Sequence, residues 1–365
     1  MSGHAPPEVV CLGESMVTFL PSRPGRLADV PSFTRAIGGA ESNVACALAA
    51  AGHRTRWIGR VGHDGFGDHL VETIGSYGVD VTAVGRDPHR PTGVYFRTDE
   101  DRATDAHEVV YYRAGSAASA MSPATVPYDS VAGARVLHLT GITAALSADC
   151  LDLVRDLTAP RPGRPLVSFD VNHRPGLWRD GSAPEVLLEL ARRADLVFVG
   201  ADEAKALWGL KGSRAVTELI DGPETVVLKL GKGGAEVIDR RPESFAGIED
   251  FADIEDADGV SHLVRPPRVD VVSAVGAGDA FAAGFLSATL RDLDMRTRLR
   301  HGHLMAAAAL TAPGDLARPP RRAHADRLAA LDTDAWGTLH LGPGWTGHDE
   351  ERPDRTGDDQ EVRTP

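Results

Sequence analysis

The sequence predicts an α/β protein with a doubly wound, mostly parallel central sheet, flanking helices and a small separate β-sheet. Short apolar runs alternate with helix-like segments along most of the chain, which is typical of repeated βα units. The run at 166–171 is largely apolar, as expected for a parallel strand buried on both faces. The 365 residues are enough for one large α/β domain.

The predicted elements begin with strands at 9–12 and 16–20, which a Pro/Gly loop at 21–31 follows. A helix at 41–51 is rich in alanine, the residue with the highest helix propensity. A hairpin over 92–98 and 108–113 belongs to the small sheet. The alternation is completed by strands at 56–61, from 79 onward, and at 136–139, 166–171, 196–199 and 225–230, and by helices at 65–75, 147–157, 184–193 and 202–207.

Toward the C-terminus the pattern weakens. The stretch 244–263 is acidic and poorly patterned, so we interpret it mostly as a loop, and helices are predicted at 303–311 and 322–331. The stretch 341–365 is rich in Gly, Pro and charge, which predicts a disordered tail. One domain is therefore expected over 9–335, with the small sheet contributed by about 14–37 and 91–118.

Composition narrows the class of partner. A formal net charge of −13 argues against nucleic acid or an anionic membrane, so an anionic substrate would need locally placed Arg or Lys. The three cysteines are far apart in sequence, and no apolar run approaches the length of a membrane span or of a signal core. These observations predict a cytoplasmic protein without a structural zinc site.

A glycine turn and an acid form the most informative stretch. The β-branched pair Val271-Val272 predicts a short strand, and Gly276-Ala277-Gly278 then leads into a helix that Asp279 opens. The unpaired N–H groups of a first helical turn favour an anion. Asp279 would repel that anion, so we interpret it as a base that takes a proton from an attacking hydroxyl, with a helix cap as the alternative. Phe281 replaces the third glycine of a dinucleotide fingerprint, and no P-loop is present.

Two stretches together resemble the ribokinase-like (phosphofructokinase-B) family of sugar kinases, over roughly 9–325. They are Gly38-Gly39-Ala40-Glu41-Ser42-Asn43-Val44-Ala45 and Gly276-Ala277-Gly278-Asp279. The resemblance implies a kinase domain at 9–335 that uses ATP and Mg²⁺, with the small sheet acting as a lid. It also implies homo-oligomers through that lid.

The resemblance implies roles for individual positions. Asp279 corresponds to the catalytic base, and Gly276, Ala277 and Gly278 correspond to the anion hole. The turn that contacts the sugar corresponds to Gly38 and Gly39, together with Asn43 on the helix that follows. The loop that contacts the nucleotide corresponds to Lys229, Gly231, Gly233 and Gly234, and the acid associated with magnesium corresponds to Glu203, although Gly200 replaces the usual Asn of that motif.

The middle of the chain resembles 2-keto-3-deoxygluconate kinases. The stretches that carry this likeness are 91–96, 111–119 and 170–178. A sugar acid needs fixed cations for its carboxylate, and Arg113 and Arg174 are the candidates. Tyr95 and Tyr111 are candidates for stacking on the sugar, with Tyr111 and Arg113 on one face of the hairpin and Tyr112 turned away.

Three alternatives stay open at this stage. One is a kinase for a neutral sugar such as fructose or ribose, or for another keto-deoxy acid. A second is a non-catalytic sugar sensor, which a retained base such as Asp279 disfavours. A third is a metal site at His301 and His303, which their helical context disfavours, because the spacing suits a strand.

Overall fold

A computed structural model describes residues 5–23, 25–98, 108–241, 255–256, 259–314 and 316–347. The strands are β1 Val9–Leu12, β2 Met16–Pro21, β3 Phe33–Gly38, β4 Thr55–Ile58, β5 Arg60–Gly62, β6 Gly85–Asp87, β7 Val94–Arg97, β8 Val109–Tyr112, β9 Val136–Thr140, β10 Leu166–Asp170, β11 Leu196–Gly200, β12 Thr225–Lys229, β13 Ala235–Asp239, β14 Glu255–Asp256, β15 Gly259–Val264, β16 Arg268–Val269 and β17 His340–Leu341. The helices are α1 Ala40–Ala50, α2 Gly65–Ser76, α3 Gly141–Ala144, α4 Ala148–Thr158, α5 Ala183–Arg193, α6 Ala201–Trp208, α7 Ser213–Leu219, α8 Ala277–Leu290, α9 Met295–Leu310, α10 Arg322–Ala329 and α11 Thr333–Thr338.

The central sheet confirms the predicted fold class. Its strands lie in the order β14-β15-β13-β12-β11-β10-β9-β1-β4, and the six from β12 to β4 are parallel to one another. After β1 the chain adds β4 on one side and β9 on the other, so the winding direction reverses between β1 and β9. In doubly wound sheets such a reversal opens a crevice at the carboxyl ends of the strands.

The apolar sequence of the parallel strands explains their position. Strands β1, β9 and β10 are buried almost throughout, and two separate hydrophobic cores fill the two faces of the sheet. Helices α1, α8 and α9 cover one face, where the small residues of α8 allow close packing against α9. Among the described residues, no helix combines the length and apolar character needed to cross a membrane.

The small sheet lies apart from the central one, in the order β3-β2-β7-β8. Its strands fall at 16–38 and 94–112, close to the ranges that the sequence predicts. Tyr95 pairs in register with Tyr111, so both rings project from one face, and they stack at 5.4 Å. Phe19, Phe33 and Phe96 form an aromatic cluster on the opposite face.

Several local predictions were wrong. The single strand expected at 56–61 is two strands in different sheets, because Gly59 interrupts the run where a Cβ would lie 2.3 Å from the ring of Trp57. Residue 79 does not begin a strand, and β6 forms only from Gly85. Part of the loop expected at 244–263 is strand β15, which pairs with β13, while 242–254 lies outside the described residues.

Two further corrections concern the ends of elements. Val271-Val272 forms no strand: both side chains are exposed, and the short strand before the glycine turn is β16. The disordered tail expected from 341 is wrong for 341–347, because Leu341 is buried in β17 and Trp345 donates a hydrogen bond to Thr311. Residues 348–365 lie outside the described residues.

Candidate active site

A cleft of about 1180 Å³ opens between the carboxyl ends of the central strands and the small sheet. Most of the residues that the sequence analysis singled out line it, although they come from distant parts of the chain. They are Gly38, Gly39, Asn43, Tyr95, Tyr111, Arg113, Arg174, Glu203, Lys229, Gly231, Gly276, Gly278 and Asp279. Ala277, Gly233 and Gly234 are not part of the lining.

The first turn of α8 faces the cleft with an acid. Gly276 precedes the helix with a φ of 78°, a left-handed conformation that favours glycine, and within the part of the chain that the structure describes no side-chain hydrogen bond caps this end of the helix. Asp279 accepts a hydrogen bond from Asn43 Nδ2 at 2.9 Å. Burial raises the pKa of Asp279 to about 6, while that hydrogen bond opposes the increase. A carboxylate with this pKa is suited to accept a proton near neutral pH.

Asn43 is brought to Asp279 by the start of α1. A close approach at Gly39, the residue before that helix, fixes where the helix begins. A Cβ on Gly39 would lie 2.5 Å from the carbonyl oxygen of Glu14 and 2.8 Å from Cα of Ser15. Only glycine therefore fits there without a backbone shift, and the turn at Gly38 and Gly39 stays open to the cleft.

Lys229 lies at the end of β12 and forms an ion pair that the sequence analysis missed. Its Nζ donates to both carboxylate oxygens of Asp170, at 2.7 and 3.0 Å. Burial alone would lower the pKa of Lys229, but the charges of Asp170 and Glu203 outweigh it and raise that pKa. A Cβ on Gly278 would lie 3.9 Å from Nζ, so this ammonium group lies beside the glycine turn of α8.

Glu203 is held by backbone groups at the start of α6. One carboxylate oxygen accepts the N–H of Gly200 at 2.7 Å, and the other accepts the N–H of His173 at 2.8 Å. Burial and the neighbouring charge of Asp170 raise the pKa of Glu203. In the described part of the chain, no three His, Cys, Asp or Glu side chains are arranged to hold a metal ion.

The glycine-rich loop after β12 is only partly at the cleft. Gly231 lines it, with a φ of 57°. Gly234 packs instead against the strand β15, where a Cβ would lie 2.2 Å from the carbonyl oxygen of Val264. Gly233 lies between them in a 3₁₀ turn. Gly233 and Gly234 therefore shape the loop rather than its cleft surface.

The small sheet contributes an arginine and two tyrosines. Arg113 lies 5.6 Å from the ring centroid of Tyr111, and its guanidinium group forms a close ion pair with Glu14. Tyr112 projects from the other face and packs edge-on against Phe96, as the alternation of the hairpin predicts. Tyr111 and Tyr112 are both substantially exposed, but of these two only Tyr111 lines the cleft.

Arg174 lies at the opposite wall, directly after the loop that follows β10. Its Nη1 donates to the neighbouring carbonyl oxygen of His173, at 3.3 Å. The side chain is exposed to the cleft, and its charge reaches Asp279, where it favours the ionised carboxylate. The two arginines thus approach the cleft from two different elements.

Comparison with known proteins agrees with this arrangement. The family model of the pfkB family carbohydrate kinases matches residues 6–321. The chain belongs to the pfkB family of carbohydrate kinases. A cleft with a glycine turn, an acid and a covering small sheet is therefore the candidate active site of a sugar kinase.

Relatives of this pfkB chain match it over most of its length. It is 35% identical to the 2-dehydro-3-deoxygluconokinase of Bacillus subtilis over 92% of this chain and 98% of that protein. It is 32% identical to the 2-dehydro-3-deoxygluconokinase of Thermoproteus tenax over 88% and 93%. A probable chloroplastic fructokinase-6 of Arabidopsis thaliana is 30% identical over 83% of this chain and 76% of that protein.

Solved structures share the fold. A PfkB protein from Polaromonas sp. JS666 superposes with a TM-score of 0.73 at 32% identity, covering 86% of this chain and 98% of that one. A sugar kinase from Pyrococcus horikoshii in complex with ATP gives a TM-score of 0.73 at 25% identity, covering 90% and 98%.

Sequence reasoning missed three buried acids of this pfkB chain: Glu14, Glu41 and Asp170. Each follows or faces the carboxyl end of a buried strand, and a polar residue at that point is the signal that could have found them. Glu41 is completely buried and accepts hydrogen bonds from Thr140 and Thr143 at 2.8 and 2.6 Å. Burial raises the pKa of Glu41 to about 7, although both hydroxyls stabilise its ionised form.

His301 and His303 have structural partners in α9. His303 Nε2 lies 2.9 Å from the carbonyl oxygen of Val264, and His301 Nε2 lies 3.2 Å from Asp326. Burial lowers the pKa of both rings. As the helical context predicts, they are packed histidines rather than a metal pair.

Proposed function

We propose that this chain is an ATP-dependent kinase that phosphorylates the terminal hydroxyl of 2-keto-3-deoxy-D-gluconate. The observation that carries this proposal is Asp279 at the first turn of α8, in a cleft that also presents Arg113 and Arg174. The two 2-dehydro-3-deoxygluconokinases that match over most of their length support the same substrate.

Asp279 is the proposed base. The oxygen of the sugar hydroxyl forms a bond to the γ-phosphorus of ATP, its proton passes to Asp279, and the bond to the β-phosphate breaks with its electron pair on ADP. The N–H groups of Gly276, Ala277 and Gly278 belong to the free first turn and would stabilise charge on the transferring group. Because Asn43 donates to Asp279, the carboxylate is oriented before substrate binds.

The arginines support a sugar acid. The carboxylate of a sugar acid needs fixed cations in the cleft, and a guanidinium group offers two parallel hydrogen-bond donors. Arg113 and Arg174 come from different walls, so a ligand between them would be held at both. Tyr95 and Tyr111 offer a stacked aromatic surface beside Arg113, while the turn at Gly38 and Gly39 can approach sugar hydroxyls closely.

Lys229 and Gly231 are the proposed nucleotide contacts in the cleft, with Gly233 and Gly234 as supports of the loop. Mg²⁺ would neutralise phosphate charge. The residues present fit such an ion only indirectly, because both oxygens of Glu203 already accept backbone N–H groups. Glu203 would hold the ion through water, which agrees with the preference of Mg²⁺ for retaining its waters.

The small sheet is the proposed lid of the cleft. Closure would exclude water and limit hydrolysis of ATP. Tyr112 is exposed on the edge strand β8 and lies outside the lining of the cleft, and such an edge suits pairing with a second copy in a homo-oligomer. A cytoplasmic location agrees with three cysteines that are all free and buried.

A neutral sugar is the second candidate, because a probable fructokinase also matches at 30% identity. The deciding measurement is ADP release with Mg-ATP and each of 2-keto-3-deoxygluconate, its galactonate epimer, fructose, ribose and adenosine. We expect the highest kcat/KM for a keto-deoxy acid, and preference for fructose would overturn the substrate assignment. Asp279→Asn should lower kcat by about 10²–10⁴-fold with little change in ATP binding. Near-normal turnover of that variant would remove Asp279 as the base.

A further inference from the structure

We propose that Glu14 is a positioning residue that holds the Arg113 guanidinium group at a fixed place relative to the central sheet, and thereby sets the affinity for the substrate carboxylate. The inference rests on the proposed function, since it concerns the acid end of that substrate. Glu14 lies in the short connection from β1 to β2, where the chain leaves the central sheet.

The backbone connections between the two sheets converge on Glu14. The chain enters the small sheet at β2 and β7 and leaves it after β3 and β8. A Cβ on Gly39, which follows β3, would lie 2.5 Å from the carbonyl oxygen of Glu14. A Cβ on Gly93, which precedes β7, would lie 3.0 Å from Glu14 Oε1. After β8, Ser116 Oγ donates to Oε1 at 2.6 Å, and Arg113 pairs with Oε2. Glu14 therefore belongs to one connection and approaches the other three, one through its carbonyl oxygen and two through its side chain.

The ion pair between Glu14 and Arg113 is buried, so each charge depends on the other. The Glu14 side chain is 1% exposed and that of Arg113 is 10% exposed, so neither charge is well solvated. A buried charge without its partner is strongly unfavourable, and the long Arg113 side chain would therefore turn toward water if Glu14 were removed. With Glu14 in place, Arg113 Nε has no hydrogen-bond partner in the described structure. Nε is itself buried, whereas the Arg113 side chain as a whole lines the cleft.

The geometry has a consequence for catalysis. The carboxylate and the terminal hydroxyl are at opposite ends of a six-carbon chain, so the site must hold Arg113 at a fixed separation from Asp279. Asp279 belongs to α8, which packs on the central sheet, whereas Arg113 follows a strand of the small sheet. Glu14 connects Arg113 to the central sheet, because β1 ends only two residues earlier at Leu12. Glu14 therefore acts through Arg113, not on the reacting atoms.

A double-mutant cycle tests this proposal. KM and kcat are measured with 2-keto-3-deoxygluconate for wild type, Glu14→Ala, Arg113→Ala and the double variant, and thermal unfolding is recorded for each. Each single variant should raise KM by about 10- to 100-fold with kcat within about threefold of wild type. The double variant should match Arg113→Ala within about threefold, because the proposal has Glu14 act through Arg113 although it also lies at the cleft lining.

Two further variants separate positioning from folding. Glu14→Gln keeps the size of the side chain and one acceptor oxygen, which can face Arg113 while the amide N–H faces Ser116 Oγ, but it removes the charge, so its KM should lie between those of wild type and Glu14→Ala. Glu185→Ala removes an exposed acid on the outer helix α5 and should match wild type throughout.

Three results would overturn the proposal. The first is additive effects of Glu14→Ala and Arg113→Ala, which indicate a separate role in lid stability. The second is an unchanged KM in Glu14→Ala. The third is a Glu14→Gln variant as impaired as Glu14→Ala. A wild-type enzyme that phosphorylates fructose but no sugar acid instead overturns the proposed function, and is recognised before any variant is made.

Discussion

The hydrogen bond between Asn43 and Asp279 makes the pH dependence of this kinase predictable. Asn43→Ala removes the 2.9 Å bond from Nδ2 to the Asp279 carboxylate. Because the bond stabilises the ionised form, its loss raises the pKa of Asp279. A hydrogen bond to a charged group contributes about 1.5–3 kcal/mol, and one pKa unit corresponds to about 1.4 kcal/mol. From a starting value of about 6, we expect an increase of about one to two units.

The sign of the activity change follows from the role of the group. A base must be ionised, so activity is complete above the pKa of Asp279 and is lost as pH falls through it. The acid limb of kcat/KM should lie near pH 6 in wild type and near about pH 7 to 8 in Asn43→Ala. Relative to wild type, the variant should therefore be impaired most at the acid end of the pH range and should recover toward pH 9.

The assay is direct measurement of ADP by chromatography after timed quenching, between pH 5 and 9, which avoids coupling enzymes with their own pH limits. Ser42→Ala is the matched control, since this neighbour on α1 bonds to Ser15 and Gly39 rather than to Asp279. Its acid limb should not move. A weakened sugar contact in Asn43→Ala would raise KM at every pH, so an acid limb that stays at the wild-type position refutes the reasoning.

Three stability predictions follow from other buried groups. Lys229→Met leaves Asp170 unpaired and should lower the free energy of unfolding by about 3–5 kcal/mol, most of which the additional change Asp170→Asn should restore. Urea unfolding tests this, and equal stability of the single and double variants contradicts it. Burial raises the pKa of Glu41 from 4.5 to about 7, so the free energy of unfolding of wild type should fall by about 3 kcal/mol as pH rises between these values, whereas that of Glu41→Gln should not. Identical slopes of stability against pH in the two proteins contradict this. Gly39→Ala forces the backbone away from Glu14 and should cost about 1–3 kcal/mol, which an unchanged Tm would refute.

Periodicity and glycine punctuation determined most of the fold. The predicted strands at 136–139 and 196–199 and the helix at 147–157 match β9, β11 and α4 to within a residue at either end. These elements are strongly apolar on one or both faces, so local pattern and tertiary burial agree. The predictions failed where local pattern and tertiary burial disagree: β15 carries polar residues, and Val271-Val272 is exposed outside the strands of the described structure despite its β-branched side chains.

The glycine turn before α8, the acid that follows it and the turn at Gly38 and Gly39 could be recognised in the sequence. Their residue types are constrained locally, because an open helix start or a close backbone approach admits few side chains. The same reasoning correctly put Tyr111 and Arg113 on one face and Tyr112 on the other, since alternation along a strand is a local property.

Only the tertiary structure revealed the partners that orient these groups. Asn43 and Asp279 are separated by 236 positions, and Lys229 and Asp170 by 59. The sequence around one residue of such a pair does not indicate which residue it will contact. Glu14 likewise meets Arg113 only because the chain crosses between the two sheets at that point. The physical reason is that a single side chain specifies its chemistry, whereas its pKa and orientation depend on burial and on charges that folding brings near.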